Sequence, residues 1–143
     1  MRTRFIILVA AAVAVLAVSA AAAAPHPLAE GVVFKPVAKS GVAGTGTVTP
    51  NGIGTGVVVR LRGLEPGSTA RVLLRTGRYP RLSASFAKAV TVKADASGRA
   101  RGSSAIRFRN EPVAFQVVAD GQHVLAVVQN GKVVAIAEIP GLD

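Results

Sequence analysis

The chain has no cysteine and no tryptophan, and it is poor in acids, histidines and aromatic residues. Without cysteine no disulfide can brace it, so even in an oxidising compartment its fold must rest on packing and strand pairing. Beyond Phe5 the aromatics are Phe34, Tyr79, Phe86, Phe108 and Phe115. That is too sparse for the stacking platforms on which single-stranded nucleic acid lies, so no specific nucleic-acid binding is expected. His26 and His123 are the only histidines, and the 7 carboxylates (Glu30, Glu65, Asp95, Glu111, Asp120, Glu138 and Asp143) are scattered through turns and ends. A zinc or copper centre needs three or four converging ligands and a glycosidase needs a placed carboxylate pair; neither is supplied, and no cofactor is expected. No apolar helical period occurs after residue 24, which leaves no room for a helix-based fold.

Against these absences stands an N-terminus of marked composition. Arg2 and Arg4 precede an unbroken apolar run, Phe5 to Val18, followed by Ser19 and five alanines. A basic segment, an apolar segment and small residues at A-x-A spacing, in that order, make a secretory signal peptide over 1–24. Pro25 lacks an amide hydrogen and fits poorly beside a scissile bond, so cleavage is expected after Ala22 or Ala23. The competing reading is a membrane anchor, since 5–24 just reaches bilayer length, but its strongly apolar part is shorter and no basic stop-transfer cluster follows. The expected location is therefore secreted or periplasmic, with membrane contact only through an uncleaved signal segment.

The remaining length suits one domain. Residues 25–40 read as a mobile lead with a possible edge strand at Val32 to Phe34, and 41–143 as the folded domain. Of 17 basic residues, 15 remain after Arg2 and Arg4, against 7 acids, a net charge of +8. Such an excess biases an exported domain toward anionic partners.

Period-2 alternation dominates that domain. Val57, Val59 and Leu61 oppose Val58, Arg60 and Arg62; Val72 and Leu74 oppose Arg71 and Arg75; Ala100, Ser104, Ile106 and Phe108 oppose Arg99, Arg101, Arg107 and Arg109. Each is a strand with one buried face. Asn51-Gly52, Asp95-Ala96-Ser97-Gly98, Asp120-Gly121 and Asn130-Gly131 are hairpin turns by composition, and Glu65-Pro66-Gly67-Ser68 is a turn cluster. The last two tight turns predict a meander over Val113 to Ala119, His123 to Gln129 and Lys132 to Ile139. Seven to eight strands at this spacing predict an all-β, immunoglobulin-like antiparallel β-sandwich.

The runs Gly63 to Ser68, Ser83-Ala84-Ser85-Phe86, Ala94 to Ala100, Phe108-Arg109 and Asp120 through Pro140 resemble secreted bacterial proteins with a chordin-repeat-like (CHRD-like) β-sandwich. The resemblance implies the same fold and no activity. It also implies a cysteine in the 77–79 loop and another in the last strand, where this chain has Tyr79 and Ile136; an apolar or aromatic contact would then stand in for the cross-link. Strand Ala70 to Leu74 lacks the histidines often found there, so no metal is implied.

Enzymatic motifs fail individually. His123, Asp120 and a serine are the only material for a nucleophilic triad, yet Asp120 is already explained as a turn residue and His123 as a strand start. Gly52-Ile53-Gly54-Thr55-Gly56 lacks the spacing and following helix of a phosphate loop. Asp95-Ala96-Ser97-Gly98 is too poor in oxygen ligands for calcium. Two features could serve recognition. One is an arginine face of Arg60, Arg62, Arg71, Arg75, Arg99, Arg101, Arg107 and Arg109, able to hold an anionic envelope polymer or another extracellular protein; the competing reading is a solvated face that keeps the domain, expected to be a monomer, soluble and discourages edge-to-edge association. The other is the loop Arg78-Tyr79-Pro80-Arg81-Leu82, expected to be exposed and extended, which could present Arg78, Tyr79 and Arg81 to a protease cleft as an inhibitor.

Overall fold

The computed structural model describes residues 29–83, 87–109 and 116–141. The expected signal segment 1–24 lies outside these residues, as do Phe86, Glu111 and Val113 to Phe115. Nine strands run β1 (Glu30–Pro36), β2 (Ala43–Asn51), β3 (Gly54–Arg62), β4 (Thr69–Arg78), β5 (Arg81–Leu82), β6 (Ala87–Lys93), β7 (Ala100–Arg107), β8 (His123–Gln129) and β9 (Lys132–Glu138). The protein is all-β and every ladder is antiparallel.

The hydrogen-bonded path is continuous, β5-β4-β8-β9-β1-β2-β3-β7, with β6 on β4 beside β5. Continuity depends on β1. Its residues 30–34 pair with β2, while Lys35 and Pro36 pair with β9, so one strand serves both halves of a curled sheet. Val32 to Phe34 thus lies in a strand that sits between β9 and β2 in the sheet order, its own residues pairing with β2 while β9 takes Lys35 and Pro36. Gly46 of β2, paired with Val32, is required by close approach: a Cβ there would stand 2.6 Å from Val58 O and press on Val32 and the Phe34 ring at 3.2 and 3.3 Å.

The concave side carries one apolar core. Val57, Val59 and Leu61 of β3, Val72 and Leu74 of β4, and Leu125 and Val127 of β8 are all buried, as the alternation requires. A smaller cluster of Val37, Val124, Ala126 and Ile136 lies apart from it, with Leu82 and Val133 packed against it, so every residue of β8 is buried. Gln129 ends that strand by donating to Ser68 Oγ, while its neighbour Asn130 donates to Glu65 at 3.0 Å; together they pin the 65–68 turn.

Several expected elements take another form. β6 and β7 do not make a hairpin ladder: β6 pairs with β4 and β7 with β3. The turn between them is local, with Asp95 Oδ1 accepting from Ser97 N, Ser97 Oγ and Arg99 N at 2.8, 2.7 and 3.0 Å. It is held instead to the 63–68 turn, through Leu64 N–H to Gly98 O and Ala94 N–H to Ser68 O. The two ends of the sheet meet by side-chain packing, where a Cβ on Gly102 would lie 2.7 Å from Val92 Cγ1 and 3.0 Å from Val90 Cγ2. Ser104, expected inward, is exposed, although Ala100 and Ile106 of the same strand are buried. The strand expected at 113–119 is, over its described part, a helical turn at 116–119 that buries Val117 and Val118 together. Gly121 with φ 64° ends that turn. The 51–52 turn shifts by one residue, since Asn51 pairs with Gly54 and the turn residues are Gly52 and Ile53.

A candidate anion-binding face

β3 and β7 carry the site. On the convex side of β3, Val58, Arg60 and Arg62 are exposed while their alternates fill the core. β7 runs antiparallel beside it, and the register sets Arg60 directly opposite Arg101. Arg62 stands one pleat further along β3, Arg99 directly precedes β7, and Thr45 of β2 opposes Arg60 from the other flank. Two concavities meet at this ridge. One, of about 570 Å³, is lined by Arg60, Arg99, Arg101, Lys93 and Asp95; the other, of about 440 Å³, by Val33, Thr45, Arg60, Arg62 and Arg99.

Like charges directly opposite in a ladder repel. Among the described residues, the one contact at salt-bridge distance is His123 with Asp120, so none of these guanidinium groups touches a carboxylate. Asp95 is the sole acid in the larger concavity, and its Oδ1 is engaged in its own turn. The Ser97 hydroxyl, the Arg99 and Ser97 backbone amides and the nearby Arg99 charge hold its carboxyl below the ordinary value of 3.8.

Of the eight arginines expected on one face, Arg60, Arg62, Arg99 and Arg101 come together. Arg107 is opposite Gly54 at the far end of β7, about 20 Å away at strand rise, and Arg109 lies beyond that strand. Arg71 and Arg75 sit on β4, in the other half of the curl. Arg75 is not fully on a solvent face: it is half-buried beside Val124, with its Nε enclosed and without a hydrogen-bond partner. Lys93 belongs to the site and was missed; its exposed place after Val92 in the β6 alternation was the available signal.

The 78–82 segment is a closed hairpin and not an extended loop. Arg78 pairs with Arg81 and Gly77 with Leu82 around a cis Tyr79–Pro80 bond, and Ser83 Oγ accepts from Thr76 N and Thr76 Oγ1 at 3.0 and 2.9 Å. Arg78, Tyr79 and Arg81 are exposed. Tyr79 and Ile136 line one groove of about 610 Å³, but the hairpin residue packed on the Ile136 cluster is Leu82. His123 Nδ1 and Asp120 Oδ1 are 2.9 Å apart, and the same Oδ1 accepts from Gln122 N, so the pair fastens the start of β8 to the preceding turn. Among the described residues no cluster of three His, Cys, Asp or Glu could hold a metal, and no helix is long and apolar enough to cross a membrane.

Comparison with known proteins adds no family: no family model matches the chain, and no curated protein or solved structure matches it.

Proposed function

We propose that this protein is an exported, non-enzymatic binding module that holds an anionic envelope or extracellular polymer on the Arg60, Arg62, Arg99, Arg101 and Lys93 face. The observation that carries the reading is the Arg60–Arg101 register: two exposed like charges face each other with no carboxylate between them. That arrangement costs the free protein stability and becomes favourable when an anion sits between the two forks, because guanidinium pairs with phosphate or carboxylate through charge-assisted, bidentate hydrogen bonds. A face meant only for solubility needs no such juxtaposition.

Co-sedimentation of residues 24–143 with isolated cell envelope tests this. Retention is expected at low salt, release at high salt, and loss of retention on replacing Arg60, Arg62, Arg99 and Arg101 by Ser. Undiminished retention of that variant would overturn the reading.

A further inference from the structure

The geometry of the ridge points to a linear phosphodiester polymer of polyol type, its chain running along β3 and β7 and its successive phosphates seated on successive arginine rungs. This rests on the proposed anion-binding reading and adds the spacing, direction and chemistry of the ligand. Arg60 and Arg101 form one rung, flanked by Thr45. Arg62 follows on β3 two residues beyond Arg60, Arg99 stands just before the start of β7, and the smaller concavity joins Arg60, Arg62 and Arg99 in a single depression. The rungs are two residues apart, so they repeat at about 6.7 Å.

That interval selects among anions. The same count of backbone bonds that separates alternate Cα atoms of a strand also separates neighbouring phosphorus atoms in a glycerol-phosphate chain, so the extended polymer matches the rung repeat. Inorganic polyphosphate crowds its charges far more closely and would place most of them between rungs. Each rung offers two guanidinium forks to one phosphate, and the Thr45 hydroxyl gives the first an additional donor. The direction follows from the ladder, since on the β2 side Thr45 opposes Arg60 and Ala43 opposes Arg62, so the charge continues along the strand and not across to β2. Bases would find no aromatic surface here: the lining residues include no exposed ring, Phe34 being buried.

Fluorescence anisotropy with three labelled probes of equal total charge tests this: a glycerol-phosphate oligomer, inorganic polyphosphate and a thymidine oligonucleotide. The glycerol-phosphate oligomer is expected to bind tightest. The Arg60→Ser/Arg101→Ser variant should lose at least about tenfold in its affinity, the scale of a lost charge-assisted hydrogen bond. Arg62→Ser/Arg99→Ser should lose about as much, and Arg71→Ser should bind as the parent does. Tightest binding of polyphosphate would overturn the spacing inference while leaving the basic-face reading intact. An oligonucleotide bound equally well or better would overturn the polyol assignment in favour of nucleic acid. Binding of none of the three would overturn both the inference and the reading beneath it.

Discussion

Removing one member of the Arg60–Arg101 pair should stabilise the protein. The two are ladder partners on the exposed side of adjacent strands, so their charged groups, splayed into water, lie about 6 Å apart; at the dielectric of water two unit charges then repel by about 0.7 kcal/mol. Measured cross-strand pairs span roughly 0.2–1 kcal/mol, which brackets this figure. For a domain of this size it amounts to a rise of about 3 °C in Tm. Thr is the suitable replacement because it favours strands, and Arg71→Thr, exposed on β4, reports the propensity gain alone. Thermal unfolding of Arg60→Thr, Arg101→Thr and the double variant at about 0.01 M and about 1 M salt isolates the pair, since the Debye length falls from about 30 to about 3 Å. At low salt either single change should capture the repulsion and the second should add nothing beyond propensity; at high salt the coupling should vanish. Additive effects at low salt would refute the reasoning, because they would mean that the two guanidinium groups do not feel each other.

Other consequences follow from the turns and the core. Gly102→Ala should cost about 1–3 kcal/mol by forcing a methyl into Val92 and Val90, and Val92→Ala should recover part of that in a double-variant denaturation cycle; no recovery would mean that β6 and β7 do not face each other. Asp95 has a lowered folded-state pKa, so its turn contributes stability above the unfolded value near 3.8 and loses it as pH falls through the folded value. Denaturant titration should therefore show parent and Asp95→Asn differing at neutral pH and converging in acid. Leu125→Ala, at a fully buried site, should cost about 2–5 kcal/mol, whereas Val33→Ala, 59% exposed, should stay within about 0.5 kcal/mol.

What could be read from the chain was whatever depends on a residue's immediate neighbours. The β3 alternation was legible because one face is core and the other solvent, and Asn130-Gly131 was legible because both residues adopt the positive φ that such a turn requires. Pairing was not, because partner choice is set at long range. Asp95 to Gly98 has the chemistry of a hairpin turn, and its Asx hydrogen bonds form as that chemistry demands, yet the strands it joins find β4 and β3 and not each other. β1 lies between two partners for the same reason: nothing in Val32 to Phe34 specifies that β9 takes its last residues. The 116–119 turn was misassigned because four residues are too few to show a helical period, and adjacent buried Val117 and Val118 match a strand run equally well. For the site, alternation gave the side on which each arginine stands but not its neighbour. Register alone brings Arg60 to Arg101 and leaves Arg71, Arg75 and Arg107 elsewhere.

The most direct test follows the arginine side chains themselves. With residues 24–143 labelled with nitrogen-15, the Nε–Hε resonances can be recorded while a glycerol-phosphate oligomer is titrated in at low salt. The account predicts shifts concentrated at Arg60, Arg62, Arg99 and Arg101, saturating together and reversed by salt, with Arg71, Arg75 and Arg107 unmoved. Shifts spread evenly over all the arginines, or centred on β4, would contradict it.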